Sequence, residues 1–105
     1  MSILGDKRRK LARMTYQLMG FAFANGYQLS FEFAKRCDAC KVGNKNSLHK
    51  IGLAVDINLF DAGGKWLSKT EDHKPLGMFW EGMGGTWGGR WGDGNHYSLE
   101  HNGMK

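Results

Sequence analysis

No stretch of this chain narrows the choice of fold more than the segment Ile51 to Leu59. Ile51, Leu53, Val55, Ile57 and Leu59 fall at every second position there. A period of two belongs to a strand that turns one face to a core. Asp56 interrupts the apolar set, and because alternate residues share a face, its carboxylate must project from the opposite side. An acid in the middle of a hydrophobic strand needs a reason, and the metal ligands are one class of reason.

The rest of the chain supplies partners for that strand. Leu11, Met14, Leu18, Met19 and Ala22 recur at three- and four-residue intervals, which predicts an amphipathic helix over residues 6–25, with Asn25-Gly26 as its stop. Tyr27, Leu29, Phe31 and Phe33 alternate in a second strand over 27–34, and the polar residues 35–48 read as a loop. Asp61 to Gly64 is a turn, after which Lys65-Trp66-Leu67 could form a short partner strand. Pro75 suits a first helical turn, followed by Leu76, Phe79, Trp80 and Met83 at helical spacing and by Gly84-Gly85 as a stop. A last short strand is expected over His96 to Leu99. The order predicts an α+β fold: a small antiparallel or mixed sheet with helices packed on one side.

Composition limits the function classes. The 105 residues suit one compact domain over 1–105, and 41% hydrophobic content affords it a core. No apolar run reaches the length of a membrane span, so no membrane insertion is expected. The first residues, MSILGDKRRKLARM, are basic but lack an uninterrupted apolar stretch, so no secretory signal is expected and synthesis should be cytoplasmic. A net charge of +5 favours an anionic partner, although the cluster Lys7, Arg8, Arg9, Lys10 and Arg13 fits a solvated helix face at least as well. No helix-turn-helix, complete zinc finger or RNA-binding aromatic motif accompanies it, so nucleic acid is not the expected partner. The protein is expected to act as a monomer. Cys37 and Cys40 make only half of a structural zinc site and read as reduced thiols in a loop.

A catalytic zinc ion takes three protein ligands and leaves a fourth position open. His49 and Asp56 flank the best strand, seven positions apart, so an unbroken strand would send them to opposite faces. The chain must bend at Lys50 to Gly52 for both to reach one ion, and Gly52 makes that bend easy. Asp93 and His96 lie three apart in DGNHY, so a carboxylate can stand beside a ligating imidazole and carry protons. His73 and His101 read as surface residues, and Glu81 as a solvated helix residue. Trp87 and Trp91 either form a platform for substrate or pack on the sheet. Ser47 either orients the His49 loop or caps a turn.

Together these residues match a pattern. Ser47-x-His49-x-x-Gly52-x-Ala54-x-Asp56, then Trp87-Gly88-Gly89-Arg90-Trp91 and Asp93-x-x-His96-Tyr97, resembles the D-alanyl-D-alanine carboxypeptidase / L-alanyl-D-glutamate endopeptidase family of zinc peptidases. The chain looks especially like the short phage endolysins of that family. The resemblance implies the α+β fold shared with the hedgehog signalling domain. It implies Zn2+ held by His49, Asp56 and His96, with Asp93 as general base and acid, and peptidoglycan as the partner. It also implies an arginine that steadies substrate charge, a place taken by Arg36 or by the Gln28 that follows Gly26-Tyr27. Ser47, Trp87 and Trp91 would line the substrate cleft. The expected activity is an L-alanyl-D-glutamate endopeptidase reaching the wall through a separate pore. The alternatives are a D-Ala-D-Ala carboxypeptidase and a non-catalytic, zinc-stabilised wall-binding module.

Overall fold

In the computed structural model, residues 3–32, 48–103 and 105 are described, with His49 and Lys50 as backbone only. Helix α1 (Ile3–Ala24) forms where the apolar stripe predicts it and starts three residues earlier. It buries Leu11, Met14, Leu18 and Ala22, together with Thr15, whose hydroxyl donates to the Leu11 carbonyl at 2.7 Å. The helix stops at Gly26, whose φ of 87° lies in the left-handed region that glycine adopts without a Cβ penalty. The Tyr27 N–H then bonds back to the Ala22 carbonyl at 3.0 Å.

Four strands follow: β1 (Gln28–Phe31), β2 (Ala54–Phe60), β3 (Thr86–Trp87) and β4 (His96–Ser98). They form one antiparallel sheet in the order β1-β2-β4-β3. Helix α2 (Lys74–Gly82) carries Pro75 in its first turn and buries Leu76 and Trp80. Cross-strand register sorts the sheet into two faces. Val55, Ile57 and Leu59 share one face with Leu29, Tyr97 and Trp87, and this face meets α1 and α2 in a single core. The other face carries Ala54, Asp56 and Asn58 from β2, Ser30 from β1, and His96 and Ser98 from β4. An α+β fold with an antiparallel sheet and its helices on one side is therefore observed.

Some boundaries differ from the sequence reading. The apolar alternation begins at Ile51, yet β2 begins at Ala54, because Leu48–Ile51 forms a 3-10 turn and Gly52 follows at φ 76°. Leu53 remains buried although it precedes the strand, since its N–H bonds to the Leu48 carbonyl. Lys65 to Leu67 yields only an isolated bridge, Phe60 to Trp66. The Asp61 carboxylate takes the Gly63 and Lys65 N–H groups at 2.9 Å each, closing the turn between β2 and that bridge. Phe31 faces the helix side by register but is 40% exposed, because β1 is an edge strand. His73 is not a surface residue: it lies buried against Tyr97. Among the described residues, no helix is long and apolar enough to cross a membrane.

Candidate metal centre and active site

Asp56 and His96 are direct cross-strand partners on β2 and β4. The Ile57 N–H bonds to the Asn95 carbonyl at 2.9 Å, so residues 57 and 95 form a hydrogen-bonded pair. Pairs alternate along an antiparallel ladder, which makes 56 and 96 a non-hydrogen-bonded pair, the kind whose side chains approach most closely. The sheet thus brings a carboxylate and an imidazole together on the face that the helices leave open. Asp56 Oδ1 lies 3.8 Å from His96 Nδ1. That is too long for a hydrogen bond. Two ligand atoms about 2.1 Å from one tetrahedral zinc ion lie roughly 3.4 Å apart, close to the observed separation, so the donor set suits a shared divalent ion.

The imidazole is oriented from its other side. His96 Nε2 lies 3.0 Å from Ser98 Oγ, two residues along the same strand face, and Ser98 is fully buried. Holding one ring nitrogen fixes which nitrogen is left for a metal, and here Nδ1 is the one turned toward Asp56. The Trp91 ring tilts over His96 with centroids 5.6 Å apart and is 49% exposed. Among the described residues, no three His, Cys, Asp or Glu side chains converge. The third expected ligand, His49, has its backbone in the 3-10 turn just before β2, and its side chain lies outside the described residues. Arg36, Ser47, Cys37 and Cys40 also lie outside them.

That turn is tied to α1. Arg8 Nε donates to the Ile51 carbonyl at 2.7 Å and lies 3.1 Å from where a Cβ on Gly52 would sit. Lys7 Nζ likewise donates to the Glu100 carbonyl at 2.9 Å. Two members of the basic cluster are therefore fasteners between the helix and the sheet, a use that composition could not reveal. Gln28 donates to the Asp61 and Ala62 carbonyls. Its register partner is Phe60, four residues along β2 from Asp56, so it closes the far turn of the sheet and does not reach the Asp56–His96 pair.

Asp93 is exposed in the turn before β4. Its N–H donates to the Gly88 carbonyl at 2.9 Å and its carbonyl accepts the His96 N–H at 3.1 Å, so the backbone couples it directly to the start of β4. Trp87 is only 5% exposed; it packs under Gly77 and Gly89, and its indole N–H donates to the Gly94 carbonyl at 2.8 Å. Of the two alternatives for this residue, packing is its place here, and of the pair Trp87 and Trp91 it is Trp91 that has an open face. Glu81, expected to be merely solvated, receives both Nε and Nη2 of Arg90, at 2.8 and 2.6 Å. That hydrogen bonding holds the Glu81 carboxyl below its usual range and fastens the Gly88–Trp91 turn to α2.

Beneath the site, His73 Nδ1 lies 2.8 Å from the Tyr97 hydroxyl. Burial pushes the His73 imidazole down, with Asp72 opposing, and pushes the Tyr97 phenol above its usual range. Sequence reading did not single out Ser98 or Thr70, and it took Arg8 only as one member of a basic cluster. Ser98 carried a usable signal, since it is two residues from His96 on a strand and so must share its face. Thr70 and Arg8 act across 22 and 43 residues, and nothing local marks them.

A helix-backed antiparallel sheet that presents an Asp–His pair on the face away from its helices, beside a carboxylate-bearing turn, defines a class: small α+β proteins with a polar centre built on the sheet. Comparison with known families makes the class specific. The family model described as D-alanyl-D-alanine carboxypeptidase matches residues 41–99, more than half of the chain, and the chain belongs to this family of M15 peptidases. It is a peptidase of the kind that acts on peptidoglycan. No individually curated protein matches the chain.

Proposed function

We propose that this protein is a zinc-dependent peptidase of peptidoglycan stem peptides, acting as an L-alanyl-D-glutamate endopeptidase in the manner of a phage or prophage endolysin. The observation that carries the reading is the 3.8 Å approach of Asp56 Oδ1 and His96 Nδ1 across a close strand pair. His49, Asp56 and His96 would hold the ion. When bound, zinc would polarise the scissile carbonyl and make water a better nucleophile. Asp93 takes a proton from the attacking water and delivers it to the leaving amine nitrogen as the C–N bond breaks. Trp91 offers an apolar face to the substrate beside His96. Arg36 would steady developing charge on the substrate oxygen, and Ser47 would orient the His49 turn. Trp87 belongs to the scaffold in this reading. The protein would be made in the cytoplasm, act as a monomer, and reach the wall through a separately encoded pore. Its positive net charge favours approach to an anionic envelope.

Purified protein incubated with sacculi, with and without a chelator, tests the reading. Mass spectrometry of the products should show stem peptides released with D-glutamate at a new amino terminus. Loss of a terminal D-alanine alone would assign the carboxypeptidase activity instead. His49→Ala should lose both zinc and turnover, whereas Asp93→Ala should lose turnover and retain zinc. Zinc-loaded protein that releases nothing from sacculi sinks the proposal.

A further inference from the structure

Asp93 stands between Gly92, at φ 86°, and Gly94, in a turn whose glycines give the backbone unusual freedom. A carboxylate that must take and return a proton in one reaction needs the opposite, a fixed position. The two peptide groups that flank it are held by a single side chain from another element. Thr70 Oγ1 donates to the Gly92 carbonyl at 3.1 Å and accepts the Gly94 N–H at 3.2 Å. One hydroxyl can do both, since it carries one donor and two acceptor lone pairs. The approach is close: a Cβ on Gly94 would lie 2.7 Å from Thr70 Cα.

Thr70 is itself fixed. It opens the 3-10 turn Thr70–His73, which is closed at its start by the Lys69 N–H bonding to Asp72 Oδ2 at 3.1 Å. At the turn's other end, His73 bonds the hydroxyl of Tyr97, the residue next to His96. The strand that carries the candidate ligand and the turn that carries the candidate base are thus referred to one short segment. We propose that Thr70 is a positioning residue for Asp93, setting the place of its carboxylate relative to His96 without touching substrate. The inference rests on the reading of Asp93 as the proton carrier.

The test uses Thr70→Val, which keeps the shape and removes the hydroxyl, with Thr70→Ser and Asp93→Asn alongside. Turnover of a soluble muropeptide, zinc affinity and hydrogen exchange at the Gly94 amide are measured on each. Thr70→Val should lower kcat by roughly 10- to 100-fold, the scale of a small misplacement. Its KM and zinc affinity should stay within about twofold of the parent, since substrate and metal binding are untouched. The Gly94 amide should exchange faster in Thr70→Val, and Thr70→Ser should restore both exchange and kcat. Unchanged turnover in Thr70→Val with an inactive Asp93→Asn overturns this inference alone. An active Asp93→Asn overturns the assignment of the base and the inference with it. Equal losses in the Val and Ser variants, or zinc lost from Thr70→Val, would show that the hydroxyl is not what positions Asp93.

Discussion

Gly88→Ala should damage this protein out of proportion to the single methyl it adds. Gly88 opens the 3-10 turn Gly88–Trp91 and is buried. A Cβ there would lie 2.4 Å from the Asp93 carbonyl oxygen and 2.6 Å from His96 Cβ. Ordinary contact begins at 3.4 Å, so the Asp93 carbonyl would have to retreat by about 1 Å. Neither obstacle is a flexible side-chain end: one is backbone and the other is the first atom of a candidate ligand. The Asp93 carbonyl also accepts the His96 N–H, so the shift spreads to both residues. Overpacking of this kind costs about 1–3 kcal/mol, which for a domain of this size lowers Tm by on the order of 10 °C. A displacement of about 1 Å at the reacting groups costs roughly 100-fold in rate. Thermal melts and turnover on sacculi measure the two effects separately. Gly20→Ala is the internal control, because Gly20 lies within α1 with nothing within 4 Å of its Cβ position. There the same substitution should stabilise by about 0.5–1 kcal/mol through helix propensity. If Gly88→Ala melts and turns over like the parent while Gly20→Ala behaves as expected, the close approach of the two turns is wrong.

Ser98→Ala should weaken zinc binding by roughly 10- to 100-fold, the usual effect of removing the group that orients a ligating imidazole, and competition with a chelating dye would read it; unaltered affinity refutes the role of the 3.0 Å contact with His96. His73 makes stability depend on pH in a definite sense: burial lowers its folded value, so the unfolded chain takes up a proton first as pH falls. Stability should therefore decline as pH drops through about 6.5, the unfolded value, and level off below the folded one. Urea melts of the parent and His73→Gln across that range should differ in slope, with the parent steeper; coincident slopes would remove His73 as the cause. Trp91→Ala should raise KM on muropeptides with little change in Tm, since half of the indole is already in solvent; a large fall in Tm would make Trp91 a packing residue.

What could be read from the sequence were the features whose signal is local. The stripe from Leu11 to Ala22 gave α1 its buried face, and Pro75 with Leu76 and Trp80 marked α2. Alternation at Val55, Ile57 and Leu59 gave β2 its two faces, and so placed Asp56 away from the core. The same rule misplaced the start of β2, because Ile51 and Leu53 keep the alternating period while the backbone winds through a 3-10 turn and a left-handed glycine. Apolar spacing reports which residues are buried, and Leu53 is buried, but it does not report the dihedrals that bury it. His73 was misread for a related reason. Its neighbours Glu71, Asp72 and Lys74 are polar, yet the Tyr97 hydroxyl that satisfies it comes from 24 residues away. A buried polar group is legible only through its partner, and that partner is a tertiary fact.

The same division explains how this sheet could carry the proposed centre. The helix face carries Val55, Ile57 and Leu59 from β2 and the buried Tyr97 ring from β4, so register is fixed: a slip of one residue would drive Asp56 and His96 into the core and Ile57 and Tyr97 out of it. That cost falls on the hydrophobic face, while the benefit appears on the polar one, where Asp56 and His96 are held opposite each other without any bond between their backbones at that pair. Packing on one side of the sheet therefore sets the spacing of the candidate ligands on the other. A substitution such as Ile57→Ala, buried in the core on the face opposite Asp56 and His96, should loosen metal binding along with stability, by about 2–5 kcal/mol for the latter. If zinc affinity in Ile57→Ala equals that of the parent at temperatures where both are folded, the core does not set the site, and the Asp56–His96 pairing must be maintained by the site's own residues.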